Sequence, residues 1–192
     1  MIAGLILAAG ESRRMGRDKA LLAYRGRTFL ETIIDHLHAA GIEKVTVVLG
    51  HHAETIQATL DLGAVRVVVN HSYQHGQTSS LQLGLTALAA DSPDGVVLCL
   101  VDHPAVPSEV IRTLKERFES ACPPVLIPTY QSQRGHPVVI SKMLFPELLS
   151  LRSEEPANRV IRKYRDATQF VEVADSGILL DVDDPATYER LE

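Results

Sequence analysis

Residues 2–22, IAGLILAAGESRRMGRDKALL, decide how the rest of the chain is read. The run Ile2 to Leu7 is apolar and short, the pattern of a strand buried on both faces of a parallel sheet. Gly10 and Gly16 then bracket a turn whose backbone can come close to a ligand, because glycine has no Cβ to clash. Such a turn offers N–H groups to anionic oxygens. Arg13, Arg14, Arg17 and Lys19 put four cations within seven positions, against Glu11 and Asp18, in a chain of net charge -5. That local reversal of sign suits a polyanion such as a nucleoside triphosphate.

Two familiar phosphate loops do not fit. A P-loop has four residues between its glycines and a Lys-Ser/Thr pair directly after the second. Here five residues separate Gly10 from Gly16, and Lys19 is followed by Ala20. A dinucleotide fingerprint needs G-x-G-x-x-G, and Ala8-Ala9-Gly10 supplies only the last glycine.

Outward from this stretch, strand-like and helix-like segments alternate, the rhythm of an α/β fold around a largely parallel sheet. Helices are expected over Thr28–Ala40, ended by Gly41, and over His52–Leu60, Thr78–Ala90 and Ser108–Cys122, the last capped by Ser108. Strands are expected over Lys44–Leu49, Val65–Val69 and Val96–Val101. The period then changes: Val125–Thr129 and Pro137–Ile140 read as a small antiparallel excursion. Short helices near Met143–Leu149 and Ala157–Tyr164, a strand about Phe170–Val173 and a helix from Pro185 complete the reading. No repeat or low-complexity linker divides the chain, so one domain over 1–192 is expected.

Composition points the same way. Hydrophobic residues make up 45% of the 192, enough for a sizeable core. No apolar run approaches the roughly 18 residues of a membrane span, and Met1 leads straight into the first strand without the basic segment of a signal peptide. The expectation is a cytoplasmic protein with no membrane partner, and the mildly acidic balance gives no reason for a nucleic-acid one. Of the two cysteines, Cys99 sits in an apolar run where a buried thiol is expected, and no spacing suggests zinc.

In open α/β sheets ligands collect at the carboxyl ends of the strands. Asp102-His103-Pro104 follows the apolar run Val96–Val101 directly, which places a carboxylate at that edge. Asp181-Val182-Asp183-Asp184-Pro185 supplies further acids from a distant part of the chain. Two such carboxylates can hold Mg²⁺, which completes its shell with phosphate oxygens and water. Gly76-Gln77-Thr78-Ser79-Ser80-Leu81 places small hydroxyl residues at a helix start, suited either to a polar ligand or to capping by Thr78 or Ser79.

The pattern L-A-A-G-x-S-x-R-M-G-x-x-K-x-L-L is met by Leu7 through Leu22 at every specified position, with Gly10, Ser12, Arg14, Met15, Gly16 and Lys19 in order. In this the chain resembles the molybdenum cofactor cytidylyltransferases of the MobA-like NTP transferase superfamily, near relatives of the guanylyltransferases. The resemblance implies a three-layer Rossmann-like nucleotidyltransferase fold. It also implies transfer of CMP from CTP, or of another nucleotide, to the phosphate of a molybdopterin-type acceptor with release of pyrophosphate. Leu7, Ala8, Ala9, Gly10, Ser12, Arg14, Gly16 and Lys19 would hold the nucleotide, with Gly76, Ser80 and Asp102; Lys19, Arg14 and Asp102 would be catalytic. Mg²⁺ would lie on Asp102 and Asp183. Asp181 competes for the second place, and capping before Pro185 is the other role open to Asp183. His103 departs from the glutamine usual between the aspartate and proline of this motif.

The resemblance further implies acceptor contacts at Gly135, His136 and Pro137, although a turn glycine and a strand-edge proline would explain two of these without function. Asn158 and Arg159 are open to an acceptor role or to solvation. Ala8-Ala9 resembles the cytidylyl branch, since the guanylyl branch has glycine at the place of Ala9. Two alternatives remain beside CMP transfer: another phosphorylated metabolite as acceptor, or a non-catalytic nucleotide-binding chaperone that contacts a molybdenum hydroxylase transiently.

Overall fold

The computed structural model describes residues 1–191. Among these residues there are ten strands and seven α-helices: β1 (Ile2–Ala8), β2 (Ala23–Tyr24), β3 (Arg27–Thr28), α1 (Phe29–Ala39), β4 (Val45–Leu49), α2 (Ala53–Thr59), β5 (Arg66–Val69), α3 (Gln77–Leu88), β6 (Gly95–Leu100) and α4 (Ser108–Ala121). Then follow β7 (Val125–Tyr130), β8 (Gln133–Arg134), β9 (Val138–Ser141), α5 (Phe145–Leu149), α6 (Asn158–Lys163), β10 (Gln169–Glu172) and α7 (Pro185–Glu189). The main sheet runs β5-β4-β1-β6-β9-β7-β10. β1 pairs parallel with both β4 and β6, and β7 pairs parallel with β10. β9 runs against both of its neighbours, joining β6 to β7, and the short β8 pairs antiparallel with β7 beside this path. The antiparallel excursion is therefore a full member of the sheet rather than a flap beside it.

The reason β1 is apolar throughout is visible in its packing. Ile2, Ile6 and Ala8 face one buried cluster, shared with α1, α2 and α4, while Ala3, Leu5 and Leu7 face a second, shared with α3, α5 and α6. Alternate side chains thus enter opposite layers, so no position on the strand can be polar. This is the three-layer arrangement expected of the family fold.

Local signals explain most element ends. Thr28 caps α1 by accepting from the Glu31 N–H, and the Glu31 carboxylate accepts from the Thr28 N–H in return, a capping box. Gly41, at φ 78°, ends the same helix. One expected cap is corrected: Pro107 takes the N-cap position of α4, and Ser108 is its first residue, with its hydroxyl turned to Glu109. Pro107 supplies the extended backbone needed there without a side-chain bond. Cys99 is buried, and burial pushes its thiol up to about 12. Among the described residues no helix is long and apolar enough to cross a membrane.

Candidate active site

A cleft of about 670 Å³ opens where β1 and β6 end, between the turn after β1 and the start of α3. The turn is held by its own side chains. Ser12, at φ 50°, accepts from the N–H groups of Met15 and Gly16 through its carbonyl, while its hydroxyl accepts from the Lys19 N–H at 3.3 Å. Met15 and Leu22 anchor the turn from beneath, packing with Phe29 and Val182. The hydrophobic positions of the motif are pins. They fix where Lys19 emerges.

Lys19 is buried, and its ammonium lies 3.1 Å from Asp102 Oδ2 and 2.5 Å from Asp183 Oδ1. Residues 83 and 164 positions away along the chain meet at one nitrogen. Burial pulls the Lys19 pKa down, but the hydrogen bonds and charges of Asp183 and Asp102 outweigh it and leave the pKa raised. The same hydrogen bond from Lys19, with help from Arg14, holds Asp183 below the usual carboxylate range. Arg14 completes the group by an ion pair to the other oxygen of Asp183.

The late acidic stretch reaches the cleft through a single main-chain bond. Val182, fully buried, donates its N–H to the Asp102 carbonyl at 2.9 Å, so Asp181 and Asp183 flank an anchored residue. Asp184, not Asp183, caps α7 by accepting from the Thr187 N–H. That frees Asp183 for the ion pairs with Lys19 and Arg14. Asp181 lies with Asp102 and His103, each offering one ligand atom within 4.8 Å of the others. Its pKa is raised by burial first, then by repulsion from Asp102 and Asp183.

The donor set fits a hard divalent ion. Asp102 Oδ1 is buried without a hydrogen-bond partner, and the Asp181 carboxylate and the His103 imidazole each bring a ligand atom within 4.8 Å of an Asp102 oxygen. Oxygen ligands of this kind suit Mg²⁺ or Mn²⁺.

The remaining sequence-derived residues fall in two places. Leu7, Ala8, Ala9 and Gly10 form the floor of the cleft, with Gly76 and Ser80 across from them. Gly16 shapes the turn at φ 69° without lining the cleft, and Arg17 lies over the Tyr188 ring, leaving Arg13, Arg14 and Lys19 as its cations. Gly135, His136 and Pro137 do not line it either. His136 and Pro137 border a small separate pocket with His103, His36 and Cys99. The His136 ring lies 4.8 Å from that of His103, and burial drives its pKa down to about 4.

The sequence profile of the MobA-like NTP transferase domain matches residues 4–168. This chain belongs to that family. Nicotine blue oxidoreductase of Paenarthrobacter nicotinovorans is 32% identical over 197 residues, covering 99% of this chain and 96% of that protein. A probable molybdenum cofactor guanylyltransferase of Opitutus terrae is 36% identical over 105 residues, 55% of this chain and 50% of that protein. The crystal structure of Rv0371c from Mycobacterium tuberculosis matches with a TM-score of 0.88 at 30% identity, over 99% of this chain and 96% of that one. A second structure of Rv0371c, in complex with manganese, gives 0.83 at 29% identity, over 99% and 97%.

In this MobA-like transferase one residue behind the cleft wall was passed over in the sequence reading. Asn70, buried just after β5, donates to the hydroxyls of Ser79 and Ser80, both at 2.9 Å, and accepts from the Ser72 N–H. It thereby orients Ser80 at the cleft wall. Its signal was a polar residue directly after an apolar run, the same signal that marked Asp102. Thr78 and Ser79 do not cap α3: Gly76 holds that position, and both hydroxyls donate to backbone carbonyls, Thr78 to Glu155 and Ser79 to Gly76. Asn158 and Arg159 open α6, where Arg159 pairs with Glu155.

Proposed function

We propose that this nucleotidyltransferase moves the nucleoside monophosphate of CTP onto the phosphate of a molybdopterin-type acceptor and releases pyrophosphate. The observation that carries the reading is the meeting of Lys19, Asp102 and Asp183 beside a glycine turn at the carboxyl edge of the sheet. Such a reaction brings one anion against another at the α-phosphorus, so the site must neutralise charge and align the partners. Lys19 and Arg14 would bind the triphosphate oxygens, and the N–H groups of the turn would orient its tail. Asp102 and Asp183, with Asp181 the competing ligand, would hold Mg²⁺. The ion, when bound, supplies positive charge to the phosphates and to departing pyrophosphate. No side-chain nucleophile is required.

Ala9 supports the choice of CTP. Ala9 lines the cleft, and its methyl group, buried beside Gly50 at the end of β4, would narrow the space left for a purine. The guanylyl reading draws on the partial relative from Opitutus terrae. Gly135, His136 and Pro137 would act on the acceptor side by shaping the wall behind Asp102. A transient partner of the loaded protein would be a molybdenum hydroxylase. One other reaction is favoured by a specific observation: the full-length relative at 32% identity is named as an oxidoreductase.

One experiment separates these readings. The protein is incubated with Mg²⁺, molybdopterin and each triphosphate in turn, and pyrophosphate is measured; a parallel sample with reduced nicotinamide cofactor and nicotine blue is followed by absorbance. Pyrophosphate release with CTP, dependent on molybdopterin, is expected. Release with GTP alone would reject the cytidylyl assignment. Cofactor oxidation without pyrophosphate would reject the transferase assignment for this chain.

A further inference from the structure

We propose that Asp18, His51 and His52 form a site for a transition-metal ion of the zinc class at the rim of the cleft, separate from the carboxylates around Asp102. Each of the three offers one ligand atom, and these atoms lie within 4.8 Å of one another. The Asp18 carboxylate is 11% exposed and its Oδ2 stands 2.6 Å from His52 Nδ1. The two imidazoles lie side by side with centroids 3.7 Å apart. His51 Nδ1 is buried and has no hydrogen-bond partner.

The backbone puts these groups together. The His51 N–H donates to the Ala9 carbonyl at 3.2 Å, pinning the turn after β4 against the turn after β1. Asp18 comes from the second of these turns and His51-His52 from the first. Two imidazoles and one carboxylate suit Zn²⁺, Co²⁺ or Ni²⁺, whereas the carboxylate-rich group around Asp102 and Asp181 suits Mg²⁺ or Mn²⁺. Tetrahedral ligands at about 2.0–2.1 Å from an ion stand roughly 3.4 Å apart, so Asp18 and His52 need to separate by less than about 1 Å. Three protein ligands leave the fourth position open.

Occupancy would bear on the neighbouring site. Asp18 directly precedes Lys19, whose main chain is already fixed through Ser12. An ion tying Asp18 to the turn after β4 would stiffen the segment that carries Lys19, and nucleotide affinity would change with it.

The test uses the untagged full chain, stripped of metal, titrated with Co²⁺ alone in the absence of nucleotide. A visible absorption band of the strength typical of four-coordinate Co²⁺ is expected to grow to one equivalent, and Zn²⁺ should erase it. His51→Ala and His52→Ala should each weaken Co²⁺ binding at least tenfold, while Asp183→Asn leaves the band unchanged. Absence of the band, its survival in the His51→Ala/His52→Ala double variant, or its loss in Asp183→Asn would overturn the proposal. Because no triphosphate or acceptor is present, the outcome is independent of the transfer reaction proposed above.

Discussion

Two stretches of this chain resemble family motifs, and the structure uses them in different ways. The turn from Leu7 to Leu22 presents its polar groups to an open cleft and hides its apolar ones beneath. Gly135-His136-Pro137 is turned inward: a Cβ on Gly135 would stand 2.4 Å from the Ile178 carbonyl oxygen, and the His136 N–H donates to that same oxygen at 2.9 Å. The first stretch is built around charge that needs a partner. The second is built around closeness of two backbones, and it acts on the site through what it supports. A motif match locates a residue in the fold; whether the side chain faces ligand or core depends on what packs against it.

The sharpest test of that contrast is Lys19→Ala. The lysine is the sole ammonium between Asp102 and Asp183 among the described residues, so its loss removes the positive charge aimed at the triphosphate and leaves two acids facing each other. Turnover should fall by about 10²–10³-fold or more, by analogy with loss of one charge-stabilising donor, while circular dichroism stays that of the folded chain. Turnover within a few-fold of wild type would break the assignment of the turn as the triphosphate grip.

Asp183→Asn is expected to have the next largest effect. Turnover should fall about 10²-fold and Mn²⁺ affinity, read by electron paramagnetic resonance, about tenfold or more, with Asp181→Asn doing less. A larger loss in Asp181→Asn would move the ion to the cluster of Asp102, His103 and Asp181. Asp183 also makes an acid-side prediction. Its pKa is lowered in the folded state, chiefly by the hydrogen bond from Lys19, so its stabilising contribution is complete above the usual carboxylate value and is lost as pH falls through the folded one. The stability difference between wild type and Asp183→Asn, measured by urea titration, should therefore shrink below about pH 4. A difference that grows toward acid would contradict the Lys19 pairing.

On the inward-facing stretch the readout changes kind. Gly135→Ala forces a methyl group against backbone rather than against a yielding side chain, at a cost of about 2 kcal/mol or more. Thermal unfolding should drop by roughly 4–8 °C for a chain of this size, with the KM for the triphosphate unchanged. A raised KM at unchanged stability would place Gly135 in the cleft after all.

Legibility in the sequence followed the same division. β1 and β6 were readable because burial on both faces demands an unbroken apolar run, and Asp102 because it ends such a run abruptly. The union of Asp102 with Asp183 rested on the resemblance, since no local pattern encodes a contact across 81 positions; the structure makes it through the buried Val182 anchor. The place of β9 inside the sheet was not legible, because a strand carries the direction of its own alternation but not the identity of its neighbours. Asn70 carried the same signal as Asp102 and was missed because an amide after a strand reads equally well as a turn residue. The hairpin β2–β3, two residues per strand, is too short for any period to register.

The smallest expected effect lies at the cleft floor and bears on base choice alone. Ala9 is 6% exposed and contributes one methyl group between the turn and the end of β4. One methyl group in a packed pocket is worth about 1 kcal/mol, a factor of roughly five in affinity. Ala9→Gly should therefore shift the ratio of CTP to GTP binding, measured by competition, about fivefold toward GTP without abolishing either. Glycine here adds room but no new hydrogen bond, so a complete switch of base would need polar contacts elsewhere in the cleft, with Ser80 and the Asn70 that holds it the first to examine. A wild-type preference for GTP would reject the narrowing argument outright, and an unchanged ratio in Ala9→Gly would transfer base choice from the shape of the turn to those polar groups.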